Sequence, residues 1–126
     1  MPIKYKSIGK TNPRNPQAPA KFYASATAGN TVTVRQISKR IAEISTVSSV
    51  DTLAVVEAFL QVIPQYLSEG SNVKLGDFGS FSVRLKSEGV ATEGELTASS
   101  IKGVKLHFRA GKEFQDVLNA ITFEKV

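Results

Sequence analysis

The 126-residue sequence predicts an α+β fold: short strands, then two helices, a β-hairpin with a long excursion, and a last helix. Three observations carry the prediction. Val34, Ile37, Ile41 and Ile44 recur at the 3/4 spacing of one helix face. Residues 51–68 hold two adjacent apolar stripes at that spacing. Residues 80–86 and 104–109 instead alternate apolar and polar, the two-residue period of strands.

In chain order, PIKYKSI at 2–8 places Ile3, Tyr5 and Ser7 on one side and Lys4, Lys6 and Ile8 on the other, a short strand. KTNPRNPQAP at 10–19 has three prolines in ten residues. Proline fixes φ and lacks a backbone donor, so this stretch is a stiff loop and neither helix nor inner strand. KFYASAT at 21–27 reads as a second strand, and the chain then turns at 28–30. Residues 1–31 form a β extension and residues 32–126 the main domain, with a strand-like tail that can pair with the N-terminal strand.

Thr33 and Gln36 have the spacing of a capping box, which satisfies free amides at the start of the first helix. Ser48, three residues before Asp51, caps the second. In that helix Leu53, Val56, Leu60, Ile63 and Leu67 form one stripe, and Val55, Phe59, Val62 and Tyr66 a second. A helix apolar over so much of its circumference needs cover on most sides, more than one short helix and a few strands supply. A second copy of the chain would supply it, so a homodimer is expected. Pro64 should kink the helix, and Gly70 ends it.

Val73 and Leu75 precede a GDFG turn at 76–79. If strands 80–86 and 104–109 pair antiparallel, Phe81, Val83, Leu85, Val104, Leu106 and Phe108 share one face. Arg84, Lys86, Lys105, His107 and Arg109 then share the other. Residues 87–100 are polar and contain glycine, an excursion or flexible arm. The last helix opens at 110–112, with Phe114, Val117, Leu118 and Ile121 on one side.

Composition narrows the function classes. The net charge is +5, and residues 1–30 carry five basic side chains and no acid. Such an excess points to an anionic partner. Without cysteine there is no disulfide, thiol nucleophile or zinc–thiolate site. The N-terminus lacks the apolar run of a signal peptide and no stretch approaches a membrane span, so the expected location is the cytoplasm, without membrane association. The one histidine, His107, has no catalytic or metal-ligating neighbours at suitable spacing. The Asp-Phe-Gly within GDFG has no glycine-rich loop before it and too short a chain around it for a kinase. The expectation is therefore a non-enzyme with no cofactor, metal or small-molecule substrate. In its place stands the five-membered basic strand face, whose bland reading is a solvated surface that discourages aggregation. Its functional reading is contact with phosphates, each cation releasing a counterion on binding.

Residues 48–81, SSVDTLAVVEAFLQVIPQYLSEGSNVKLGDFGSF, resemble the HU/integration-host-factor family of bacterial histone-like DNA-binding proteins. The matching features are the Ser-capped helix with Asp51, the Leu67…Gly70 ending, V-x-L at 73–75, F-G-S-F at 78–81, and RAGK at 109–112. They span residues 33–120, and the form is closest to HU-like proteins with an N-terminal extension, common in Bacteroides-type bacteria. The resemblance implies an intertwined homodimer whose hairpins embrace duplex DNA from the minor groove, within the nucleoid. It implies phosphate contacts at Arg84, Lys86, Arg109 and Lys112, to which the strand alternation adds Lys105. Lys112 also stands near a helix N-terminus, which favours anions. The expected dimer interface holds Leu53, Val56, Phe59, Leu60, Ile63, Phe78 and Phe81.

Two departures stand out. Asp77 occupies a position that is usually glycine in the family, and the arm at 89–96, GVATEGEL, has neither proline nor base, with Glu88, Glu93 and Glu95 around it. Family arms carry an Arg-Asn-Pro tip whose proline wedges between base pairs, so wedging from this arm is not expected. RNPQ at 14–17 resembles that tip but lies in the N-terminal loop. Either Lys10, Arg14 and Pro16 supply minor-groove contacts, or the loop is a stiff turn bracing two strands. For the whole chain the leading expectation is an architectural DNA-binding homodimer of low sequence specificity. The competing one is an HU-shaped structural or interaction protein that no longer binds DNA. Single-strand or RNA binding would need exposed stacking aromatics, for which Tyr5, Phe22 and Tyr23 are the N-terminal candidates.

Overall fold

The computed structural model describes residues 1–126. Its elements are β1 (Ile3–Lys10), β2 (Lys21–Ala26), α1 (Val34–Glu43), α2 (Ser49–Ser68), β3 (Val73–Lys74), β4 (Gly79–Ser87), β5 (Ile101–Ala110), α3 (Lys112–Asn119) and β6 (Phe123–Lys125). They form two units, residues 1–31 with 117–126 and residues 32–116. No helix is long and apolar enough to cross a membrane.

In the first unit, β1 is the middle strand of the order β2-β1-β6. It pairs antiparallel with β2, Tyr5 opposite Ala26 and Lys10 opposite Lys21. On its other edge it pairs parallel with β6, Ile3 opposite Phe123. The tail thus does pair with the N-terminal strand. β1 runs two residues beyond the expected 2–8, since β2 offers partners as far as Lys21. Ile3, Tyr5, Ala24, Ala26 and Phe123 line an apolar hollow of about 450 Å³ on one face. The 11–20 loop is stiffened by two successive turns, Asn15 N–H to Asn12 O at 3.1 Å and Ala18 N–H to Asn15 O at 3.0 Å.

The second unit begins with the expected caps. Thr33 and Gln36 exchange both bonds of a capping box, and the Ser48 hydroxyl accepts from Asp51 N–H at 3.2 Å. α2 starts at Ser49, two residues earlier than the apolar pattern, because capping and not hydrophobicity sets its first turn. It continues through Pro64 to Ser68. The helix ends in a Schellman motif, with Gly70 N–H bonded to Leu67 O and Ser71 N–H to Tyr66 O. Gly70 takes φ +87°, a conformation costly for any residue with a Cβ.

α1 packs on α2; along α1 Ser38 is buried and Val34 and Ile41 are half-buried, while Ile37 and Ile44, expected in the same stripe, are exposed. Ser38 is 2% exposed, and its hydroxyl has no hydrogen-bond partner. The other sheet has the order β3-β4-β5. Between β4 and β5 the arm folds into two short 3₁₀ turns, Glu93–Glu95 and Ala98–Ser100. The second is closed by reciprocal bonds between Thr97 and Ser100. Ile121, expected on α3, lies beyond it, since the helix stops at Asn119.

Apolar burial is the missing component. Leu67, at 8% exposed, is the one buried large hydrophobic residue. On α2 Val55 is 66% exposed, Phe59 48% and Leu60 49%. The chain exposes 10746 Å² in all, whereas two separately compact units of these sizes would together expose about 7,800 Å².

Candidate nucleic-acid interface

The β4–β5 register assembles the charged face. Arg84 stands opposite Lys105, Ser82 opposite His107, Ser80 opposite Arg109, and Lys86 opposite Gly103. Residues directly opposite share a face, and so do residues two apart along a strand. Arg84, Lys86, Lys105, His107 and Arg109 therefore lie on one face. Phe81–Phe108, Val83–Leu106 and Leu85–Val104 pair on the other. A register shift between Lys86 and Ser87 ends the regular ladder at the base of the arm.

Like charges directly opposite destabilise a sheet. Arg84 and Lys105 are such a pair, both exposed, and neither has a carboxylate partner. The ion pairs of the chain are Arg40–Glu43 at 3.0 Å and Lys102–Glu88 at 3.5 Å. An anion of repeating charge would relieve the repulsion.

Arg109 and Lys112 flank a tight crossing of backbones. Gly111 N–H donates to Phe78 O at 2.9 Å, which ties the start of α3 to the turn before β4. A Cβ on Gly111 would overlap the backbone carbonyl of Asp77. The glycine of RAGK is thus required by close approach. Lys112 is the first residue of α3, where the Gly111 carbonyl accepts from Gln115 N–H and closes the first turn. Asp77 is exposed in the 3₁₀ turn Gly76–Phe78. Behind this corner Phe78, Phe81, Phe108 and Phe114 cluster, Phe78 meeting Phe114 edge-on with centroids 4.7 Å apart. Phe81 and Phe108 are also 4.7 Å apart.

Among the residues expected at a dimer interface, Leu53, Val56, Ile63 and Phe81 are half-buried within the chain, while Phe59, Leu60 and Phe78 are exposed. Lys10, Arg14 and Pro16 are all exposed. Lys10 lies at the end of β1 beside Tyr23, its Nζ 5.7 Å from the ring centroid, and Arg14 and Pro16 lie on the loop that follows. Alternation in β1 and β2 places Lys4, Lys6, Lys10 and Lys21 on a common face. The sequence held a signal for that group, the Lys4/Lys6 spacing and the acid-free N-terminus, but not the register that adds Lys21.

Comparison with known proteins places this architecture. A family model described as an HU domain fused to wHTH, Ig, or glycine-rich motif matches residues 1–125. The DNA-binding protein HU of Streptococcus pyogenes is 31% identical over 85 residues, 63% of this chain and 89% of that protein. Integration host factor subunit alpha of Methylorubrum extorquens is 42% identical over 59 residues, 47% of this chain and 55% of the subunit. Among solved structures, an Anabaena HU–DNA cocrystal superposes with a TM-score of 0.56 at 26% identity, over 71% of this chain and 99% of that one. A putative bacterial DNA-binding protein from Bacteroides vulgatus has the same fold, with a TM-score of 0.64 at 14% identity over 98% of this chain. The present chain spans about half of its length, 48%. Helix order, hairpin, closing RAGK corner and family match converge, and the chain belongs to the HU/integration-host-factor family of bacterial histone-like DNA-binding proteins.

Proposed function

We propose that the chain acts as a homodimer that binds duplex DNA through its phosphates with low sequence specificity, an architectural role in the nucleoid of the cytoplasm. The role is not enzymatic and needs no cofactor, metal or small-molecule substrate. The observation that carries it is the acid-free cationic face of β4 and β5, with Arg84 opposite Lys105 and no carboxylate in reach. Arg84, Lys86, Lys105, Arg109 and Lys112 are the phosphate contacts. Contacts to phosphates position a protein on the duplex without reading its sequence.

Association of two chains is supported by the uncovered apolar surface. The excess over compact units is about 2,900 Å² per chain, the scale of an obligate, intertwined interface. Phe59 and Leu60 of α2 and Phe78 at the hairpin base are its expected centre, with Leu53, Val56, Ile63 and Phe81 completing it. The arm, with Glu93 and Glu95 in its 3₁₀ turn, is not read as a wedge between base pairs. Arg14 and Pro16 are read as members of a bracing loop, given its two successive turns.

The test is a salt titration of binding to random-sequence duplex. Neutralising Arg84, Lys86 and Arg109 together (each to Gln) removes up to six phosphate contacts from a dimer, and the slope of log affinity against log salt should fall by about 0.9 for each. An unchanged slope refutes the assignment. The acidic arm and Asp77 favour one alternative, an HU-fold interaction protein without DNA binding, and absence of any mobility shift at low salt would establish it.

A further inference from the structure

We propose that the N-terminal sheet carries a second duplex-DNA surface, in which Lys4, Lys6, Lys10 and Lys21 bind phosphates around the cleft beside Tyr23. The partner class is taken from the function proposed above; the residues, the sheet and the unit are different. All four lysines are exposed. Lys4, Lys6 and Lys10 share one side of β1 by alternation, and Lys21 joins them because it stands directly opposite Lys10. None is ion-paired. Glu124, opposite Lys4 on β6, is the one acid on this face.

The cleft has a volume of about 500 Å³. Lys10, Lys21 and Tyr23 form its sheet side, and Asn12, Pro13 and Pro19 its loop side. A cation over an aromatic face is attracted within about 6 Å, so the Tyr23 ring attracts the Lys10 ammonium, 5.7 Å from its centroid, and both residues line the cleft. The proline-rich loop then has a physical purpose: a wall already stiffened costs little ordering entropy when a ligand enters.

A solvated face that only confers solubility would normally mix both signs of charge. Four lysines to one acid, Glu124, is an excess of a single sign. Along β1 the Lys4–Lys6 step is about 6.8 Å, two strand residues, or twice the 3.4 Å rise between successive phosphates of one DNA strand. A membrane surface fits less well, because a membrane-seeking element exposes apolar groups on the side that its cations flank. Here Ile3, Tyr5, Ala24, Ala26 and Phe123 line a hollow on the opposite face of the sheet. Single strands would need several stacking rings in succession, and this face carries one aromatic, Tyr23, with the Lys10 ammonium over its ring.

The experiment uses the full chain with all four lysines changed to glutamine, random duplex, and a salt series. The expected result is weaker binding with a slope shallower by about 0.9 per contact, up to about 3.6 per chain. The corresponding lysine-to-arginine variant should keep the affinity and slope of the native chain. Thermal unfolding by circular dichroism verifies the fold. Should the quadruple variant fail to fold, Lys6→Gln with Lys21→Gln should lower the slope by about 1.8 per chain. Unchanged affinity and slope in the folded glutamine variant overturn the proposal. If the Arg84/Lys86/Arg109 variant still loses slope in that experiment, the hairpin reading survives alone. Vesicles containing phosphatidylserine, bound by the native chain and lost by the variant while duplex binding is unchanged, would also overturn it in favour of a lipid surface.

Discussion

Phe59→Ala tests the association of two chains proposed above. Phe59 is 48% exposed on α2. A phenylalanine side chain buries about 200 Å² when fully covered, so about 100 Å² of it is available to a second chain. At about 25 cal/mol per Å² that is about 2.5 kcal/mol per copy. A two-fold dimer contains the residue twice, so the loss is about 5 kcal/mol. At 1.4 kcal/mol per decade the dimer dissociation constant rises by about three to four orders of magnitude. Sedimentation equilibrium from nanomolar to micromolar chain measures this directly. Urea unfolding of the native chain at several concentrations provides a second readout, because the stability of an obligate dimer depends on protomer concentration. A dissociation constant changed by less than tenfold, or a native midpoint independent of concentration, would refute the reasoning. The exposed α2 face would then be covered by something other than a second chain.

Two further substitutions probe the fold beneath the site. Gly111→Ala should destabilise by more than about 2 kcal/mol in urea unfolding, since its methyl group meets the Asp77 carbonyl, which belongs to backbone and cannot rotate away. Ser38→Ala should be neutral or stabilising by up to about 1 kcal/mol, because it removes a buried hydroxyl with no partner between α1 and α2; a loss above about 1 kcal/mol would mean that the hydroxyl is bonded after all.

Much of the second unit was legible because its signals are local. A helix cap spans four residues, so the Thr33–Gln36 capping box and the Ser48 N-cap before Asp51 marked the helix starts without knowledge of any partner. Strand alternation has a period of two, so one antiparallel pairing of β4 with β5 was enough to gather Arg84, Lys105 and Arg109 on a face. The two-striped α2 announced its need for cover, and its exposed Val55 and Phe59 express the same need. The features that were missed depend on partners distant in sequence. Ser38 is polar and reads as outside the stripe, yet the crossing of α1 over α2 buries it and leaves Ile37 out. The glycine of RAGK was visible as a motif, but its reason, the Asp77 carbonyl against it, lies 34 residues away.

The N-terminal lysines make the division clearest. Composition alone determined that this region is basic, that its strands are short and that a rigid loop joins them. Only the tertiary structure decided that Lys21 faces Lys10, that Tyr23 lies under the Lys10 ammonium, and that β6 runs parallel to β1 with Phe123 opposite Ile3. Side-chain alternation and turn chemistry are properties of neighbouring residues. Register and strand order are chosen by contacts between segments that the sequence keeps apart, and a slip of one residue would turn every lysine to the other face.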